Sequence, residues 1–258
     1  MVEGQRVSNS RNILALDGVG HSFGGFTVLR SVTLSVADGG LVGLIGPNGS
    51  GKTTLFNIIS GYLPLQTGTI GFRGEPLTTQ SVQSRNRAGM VRTFQTPKIF
   101  ERMTVLENIM VGACKLTRTG LIQDLLRLPH ARGEIRQIRA MAERVAVDFG
   151  LNGDLPARTL PAGPRRILEI ARALVGEPKL LMLDEPSAGL NREEMQQLIA
   201  AIRRINDAGL SILLVSHDME LMAVVETVHA LNFGEIIAKG SMAAIQQNAH
   251  VREVYLGI

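Results

Sequence analysis

Cysteine is nearly missing from this chain. Cys114 stands alone among 258 residues, so no disulfide can form within the chain, and a reducing compartment is the natural setting. Tryptophan is absent and aromatics make up 4%, which excludes an aromatic platform for stacking single-stranded bases; no nucleic-acid partner is expected. No apolar run nears the roughly 20 residues of a membrane span; runs such as Leu180–Leu183 and Ile212–Val215 are far shorter. The stretch from Met1 to Asn12 is polar and lacks the apolar core of a secretory signal.

What is present is ordinary globular material: 45% apolar and 19% charged residues. The length suits one large domain, or one core with an inserted subdomain, and permits a sizeable buried core. The net charge is +4. Between residues 115 and 144, Lys115, Arg118, Arg127, Arg132, Arg136, Arg139 and Arg144 face only Asp124, Glu134 and Glu143. That excess equals the net charge of the whole chain. It reads first as the wet face of helices, and second as a surface near membrane headgroups or another partner.

Ile13–Leu16 and the alternating Val28–Val36 read as strands, Leu41–Ile45 as a short buried strand, and Thr53–Ser60 as a helix. Thr69–Arg73 and Val91–Phe94 are further strand candidates. From about 99 the character changes: Leu121–Leu126, then Ile135, Ile138, Met141 or Ala142, and Val145, recur at helical spacing. Leu180–Leu183 and Ile212–Val215 are continuous apolar runs, as buried parallel strands require. Glu193–Ala208 is the helix between them, stopped by Gly209. A hairpin and helical turns end the chain.

Between the strand at Leu41–Ile45 and the following helix, Gly46-Pro47-Asn48-Gly49-Ser50-Gly51-Lys52-Thr53 fits G-x-x-x-x-G-K-[ST]. Such glycines let successive N–H groups turn inward as an anion nest, and the helix N-terminus adds partial positive charge. Lys52 would set a point charge on the outer phosphates, the Thr53 hydroxyl would ligate Mg²⁺, and Thr54 would add a phosphate contact. The loop alone fits kinases, GTPases and motor ATPases equally. A second site narrows it: Leu180–Leu183 runs into Asp184 and Glu185. Asp184 is placed to hold Mg²⁺ through its water shell, and Glu185 to orient a water and accept its proton. The competing reading makes this pair a helix cap ahead of Pro186.

The order of phosphate loop, Gln95, a Gly-Xaa-Xaa-Arg helix start at Gly163, Leu183-Asp184-Glu185-Pro186, and Ser216-His217-Asp218 resembles the ATP-binding cassette (ABC) ATPases. The likeness runs from about Ile13 to Gly257. It is nearest the ATP-binding subunits of branched-chain amino-acid importers, carried by Phe23-Gly24-Gly25, Arg92-Thr93-Phe94-Gln95, Met103–Asn108, the segment from Thr119 to Pro129, Ala188–Asn191 and Val254–Gly257. The resemblance implies an α/β fold: a P-loop core with a mostly parallel sheet, an N-terminal antiparallel β subdomain and an inserted helical subdomain. Residues 11–98 and 171–240 would form the ATP-binding core, 99–170 the helical subdomain with the signature, and 241–258 a helical tail.

It also implies roles. Phe23 stacks on adenine and Val28 packs against the base or ribose. Gln95 reaches Mg²⁺ and the attacking water, and His217 contacts the γ-phosphate. The implied partners are transmembrane permease subunits, a second ATPase subunit and, indirectly, a periplasmic solute-binding protein. The location would be the cytoplasmic face of a bacterial inner membrane. Other cargoes stay open: urea, short amides, other amino acids, or exported lipopolysaccharide. A soluble ABC protein acting on DNA or ribosomes usually carries two cassettes or a long coiled-coil insertion, and this chain has neither. A substrate kinase would need a second-substrate lid, and none is evident.

The signature departs from the family. Leu-Ser-Gly-Gly-Gln is replaced by Leu160-Pro161-Ala162-Gly163-Pro164. Pro161 has neither hydroxyl nor N–H, whereas the family's serine and neighbouring N–H groups hold the γ-phosphate of the opposing subunit's ATP. Each such bond is worth about 1.5–3 kcal/mol, so the composite site facing this signature would be weakened. A heterodimer, with Lys52 and Glu185 facing a partner's intact signature, is expected over a homodimer.

Overall fold

The computed structural model describes residues 12–113 and 129–256. The expected helix at Leu121–Leu126, Cys114 and Gly257 lie outside them. In chain order the elements are β1 (Asn12–Phe23), β2 (Phe26–Ala37), β3 (Leu41–Ile45), α1 (Lys52–Ser60), β4 (Thr67–Phe72), β5 (Glu75–Pro76), α2 (Val82–Arg87), β6 (Met90–Arg92), α3 (Val105–Val111) and α4 (Pro129–Asp148). There follow a 3₁₀ turn (Ala157–Thr159), α5 (Ala162–Leu174), β7 (Leu180–Asp184), α6 (Arg192–Asp207), β8 (Ser211–Val215), α7 (Met219–Met222), β9 (Thr227–Asn232), β10 (Glu235–Gly240), α8 (Met242–Gln247) and α9 (Ala249–Leu256). They divide into two units. The first comprises residues up to Arg92, Lys179–Glu185 and the chain from Arg203 onward; the second comprises Thr93–Pro178 and Pro186–Ile202.

The first unit holds two sheets. One is antiparallel, in the order β2-β1-β4-β5; the other runs β10-β9-β3-β8-β7-β6. In the second sheet β3 is parallel to β8 and β9, β8 to β7, and β7 to β6, while β10 pairs antiparallel at the edge. Every residue of β3, β7 and β8 is buried, which is why their sequences are unbroken apolar runs instead of alternating ones. α1 buries Leu55, Phe56, Ile58 and Ile59 in a core shared with Leu14, Leu16, Val32, Leu34 and Val36 of the antiparallel sheet and Leu44, Leu213 and Val215 of the other. Each such side chain contributes about 1.5–3 kcal/mol relative to exposure.

β1 is longer than the expected Ile13–Leu16. Its register against β2 shifts between Leu16 and Val19, where Gly18 has φ 62°, and this bulge hides the alternation of its second half. β6 ends at Arg92, two residues short of the expected Phe94. The reason is local to the second unit: the Phe94 N–H donates to Glu169 at 3.3 Å and its carbonyl accepts from Arg166 at 2.7 Å, so side chains replace ladder partners.

The second unit packs α3, α4 and α5 around Val105, Ile109, Ala142, Ala146, Leu168, Ala171 and Val175. The inward stripe of α4 starts at Ile138; Ile135, expected on that face, is 43% exposed. At the position left open between Met141 and Ala142, Ala142 is the fully buried residue and Met141 packs at the margin. α3 carries a capping box between Thr104 and Glu107.

Candidate functional site

The phosphate loop is shaped by what surrounds it. Gly51 caps α1 at φ 107° with no side-chain hydrogen bond, and no acidic residue occupies the first turn. A Cβ at Gly51 would meet Leu29 Cδ2 at 2.7 Å and the Val28 carbonyl at 3.1 Å. A Cβ at Gly46 would strike the Leu231 carbonyl and Ser50. Glycine is thus required by close approach as well as by conformation. The first-turn N–H groups of α1 have no protein cap, and positive partial charge gathers there. Ser50 is buried and its Oγ has no partner, a polar atom waiting for a ligand. Lys52 Nζ donates to the carbonyls of Gly46 at 2.7 Å and Pro47 at 2.9 Å. Burial pushes its pKa below the usual 10.5, and the charges of Glu185 and Asp184 oppose that shift. A half-buried cation facing two carboxylates beside uncapped N–H groups is an anion cradle with a hard-cation flank.

The acidic pair takes separate partners. Asp184, at the end of β7, accepts from Arg92 Nη2 at 2.7 Å through Oδ2. Glu185 adopts φ 46°, its N–H donates to the Val215 carbonyl at 2.9 Å, and its Oε2 lies 2.8 Å from His217 Nδ1. Neither carboxylate caps a helix. The cap of α7 is Asp218, which accepts from the Leu221 N–H, and that leaves the His217 side chain 74% exposed. β3, β7 and β8 are adjacent parallel strands, so the loop after β3, the acidic pair after β7 and His217 after β8 gather at their carboxyl ends, where ligands of open α/β sheets bind.

Phe23 ends β1 opposite Phe26 and is half exposed, with the buried His21 ring edge-on at 4.7 Å. Val28 is partly buried against the core, and its carbonyl lies against the space beside Gly51. Thr53 is exposed and Thr54 half-buried in the first turn of α1. Asn48 and Gly49 form the exposed crest of the loop.

Gln95 and the signature residues belong to the second unit. Gln95 follows Phe94, and its carbonyl accepts from Arg166 Nη2 at 2.5 Å. Arg166 also pairs with Glu169 at 2.7 Å, both side chains being 2% exposed. Burial raises the Glu169 pKa, against the Arg166 charge and the Phe94 N–H. Gln95, Thr96 and Pro97 line a hollow of about 570 Å³ with Ala162, Arg165 and the loop Ala188–Leu190. The fold therefore gathers Gln95, the signature and the loop before α6 within this unit. Pro161 caps α5 without any side-chain bond, and the Gly163 N–H donates to Glu194 Oε1 at 2.8 Å. Two residues given no role from sequence emerge here: Arg92, beside Asp184, and Glu194, on Gly163. Neither carries a local sequence signal, since each is defined by a partner distant in the chain.

No group of three or more His, Cys, Asp or Glu able to hold a metal occurs among the described residues. The Thr53 hydroxyl and the Asp184 carboxylate are hard oxygen donors. They fit Mg²⁺, which keeps few protein ligands and is completed by phosphate oxygens and water. No described helix is long and apolar enough to cross a membrane.

A family model described as ABC transporter matches residues 29–188, and one described as branched-chain amino acid ATP-binding cassette transporter matches residues 235–258. The high-affinity branched-chain amino acid transport ATP-binding protein LivG of Salmonella typhimurium is 39% identical over 254 residues, covering 96% of this chain and 99% of its own length. The lipopolysaccharide export system ATP-binding protein LptB of Escherichia coli is 33% identical, covering 95% and 97%. A solved structure, the ADP conformation of MJ1267, an ATP-binding cassette of an ABC transporter, superposes with a TM-score of 0.81 at 29% identity, covering 96% of this chain and 99% of that one.

Proposed function

Because this chain belongs to the ABC transporter family, we propose that it is the ATP-hydrolysing subunit of an importer that takes up branched-chain amino acids through a separate permease. The observation that carries the ATPase is the meeting of the uncapped phosphate loop and half-buried Lys52 with the carboxylates of Asp184 and Glu185. Support for the cargo is the full-length similarity to LivG together with the family match at residues 235–258. The lower identity to LptB makes lipopolysaccharide the weaker alternative.

In this reading Gly46, Asn48, Gly49, Ser50 and Gly51 turn their N–H groups to the phosphates, Lys52 and Thr54 hold the outer ones, and Phe23 and Val28 hold the base. Thr53, Asp184 and Gln95 would hold Mg²⁺, whose chemistry is to neutralise charge on the transferring phosphoryl group. Glu185 orients the attacking water and accepts its proton. His217 steadies Glu185 through their 2.8 Å contact and reaches the γ-phosphate. The chain would sit on the cytoplasmic face of an inner membrane and pair with a different ATPase subunit, because Pro161 leaves its own signature poor. Residues 11–98 and 171–240 would serve as ATP-binding core, 99–170 as the helical subdomain facing the permease, and 241–258 as a tail. A periplasmic solute-binding protein would deliver the cargo.

The test is reconstitution with the permease and second ATPase that co-purify with this chain. ATP-dependent uptake of leucine, isoleucine or valine, abolished by Lys52→Ala, is expected. Uptake that survives Lys52→Ala would remove the ATPase reading; ATP-driven movement of an unrelated solute would remove the cargo alone.

A further inference from the structure

Arg92 is the last residue of β6, and its side chain is 8% exposed. Its guanidinium donates hydrogen bonds to the acidic end of β7 and to α1. Nη2 donates to Asp184 Oδ2 at 2.7 Å. Nη1 donates to Asn57 Oδ1 and to Ser60 Oγ, both at 2.8 Å. The guanidinium also lies 5.5 Å from the ring centre of Phe56 and 5.8 Å from that of Tyr62. Asn57, Phe56 and Ser60 are on α1, whose last turn has no basic residue of its own; Arg92 supplies a cation at the negative end of that helix dipole.

One planar fork therefore ties the acidic end of β7 to the helix that bears the phosphate loop at its other end. Merely joining strand to helix does not call for this arrangement. Apolar side chains would do it without desolvating an ion pair. What a guanidinium anchored through its other arm provides, and an apolar contact does not, is a directional hydrogen bond that engages one oxygen of the carboxylate. With Oδ2 committed to Nη2, Oδ1 is the oxygen left for another partner. The stacked rings and the Asn57 and Ser60 anchors restrain the guanidinium itself.

We propose that Arg92 is a positioning residue for the metal: it engages one oxygen of Asp184 from its anchors on α1, so that the other carboxylate oxygen is presented to the Mg²⁺ that arrives with the nucleotide. This rests on the reading of Asp184 as a Mg²⁺ residue.

The experiment uses the full chain and a fluorescent ATP analogue. Its affinity is measured in EDTA and across a Mg²⁺ titration, and folding is checked by thermal melting. Arg92→Met is expected to leave metal-free affinity within about twofold and to raise the Mg²⁺ needed for half-saturation by about tenfold, the low end for losing a partner of a metal ligand. Arg92→Lys, which keeps charge but not the fork, is expected to recover only part of this, and Asn57→Ala, which frees one anchor, to shift the requirement in the same direction. An unchanged Mg²⁺ requirement in folded Arg92→Met would make the residue a structural bolt. A lowered one would make it a competitor of the metal. Either overturns the proposal. If Arg92→Met does not fold, Arg92→Lys decides: no shift overturns it. Asp184→Asn separates the two layers, since loss of Mg²⁺ dependence there with none in the Arg92 variants sinks only the role of Arg92, and unchanged dependence in Asp184→Asn sinks the reading beneath it.

Discussion

The main-chain N–H of Gly163, in the first turn of α5, donates to Oε1 of Glu194, in the first turn of α6, at 2.8 Å. The other oxygen of Glu194 takes the Asn191 N–H at 3.0 Å, and Asn191 Oδ1 returns the bond to the Glu194 N–H at 2.9 Å. One carboxylate thus closes a capping box on its own helix and fills an anion position at the start of α5, where Pro161 offers no cap. Glu194→Ala should lower stability by about 1 kcal/mol, a fall in Tm of roughly 2–4 °C for a chain of this size. Gly163→Ala should also destabilise, because its Cβ would lie 2.5 Å from Glu194 Cγ. The double variant should cost less than the sum of the two, a coupling that a double-mutant cycle in urea would measure. Strict additivity would mean that the contact does not form in solution.

Glu185→Gln should keep nucleotide affinity within a few-fold and reduce phosphate release by about 10²–10⁴, the range for a lost general base. His217→Ala should reduce release as well, since the imidazole holds Glu185 Oε2. Single-turnover assays in the reconstituted complex check both. Full hydrolysis by Glu185→Gln would assign the proton acceptor elsewhere.

The Arg166–Glu169 pair is buried on both sides. Arg166→Met alone removes the ion-pair partner of a buried carboxyl, leaving it the Phe94 N–H and the Arg172 charge, and withdraws the guanidinium from the carbonyls of Phe94 and Gln95. It should cost about 3–5 kcal/mol. Adding Glu169→Leu should recover much of that, because the remaining carboxyl is the source of the penalty. Urea unfolding of the single and double variants gives the comparison. Equal losses in both would place the cost in the freed carbonyls instead.

His229 on β9 is 1% exposed and neither ring nitrogen has a partner. Burial, helped by the charge of Lys239, pushes its pKa down to about 4 from the ordinary imidazole value of 6.5. The folded chain therefore binds this proton less readily than the unfolded one. The stability it contributes is present above pH 6.5 and is lost as pH falls toward 4, by about 3 kcal/mol in all. His229→Leu should flatten that limb of the stability curve between pH 6.5 and 4. Identical pH dependence in both proteins would show that another group causes acid unfolding.

The parts of the site legible in sequence are those whose chemistry sits on neighbouring residues. A phosphate nest needs consecutive N–H groups, so Gly46–Thr53 announces itself. A strand buried on both faces must be apolar throughout, so Leu180–Leu183 points to Asp184 and Glu185 at its end. Arg92 and Glu194 were not legible in this way: their partners lie 92 and 31 residues away in sequence, and no local pattern encodes such pairing. The early end of β6 has the same origin, because Phe94 leaves the ladder for side chains of α5. Ile135 misled because helical spacing reports which residues share a face, and says nothing of where along that face the neighbouring helices lie.

By itself the sequence determined the anion cradle, the acidic strand end and the alternation of buried strands with helices, because each follows from backbone conformation and burial acting over a few consecutive residues. Only the tertiary structure decided which partner each ionised group takes: Arg92 for Asp184, His217 for Glu185, Gly163 for Glu194. A charge withdrawn from water settles on whatever counter-charge or hydrogen-bond donor the folded chain brings within about 3 Å, and that choice is made by packing between distant segments.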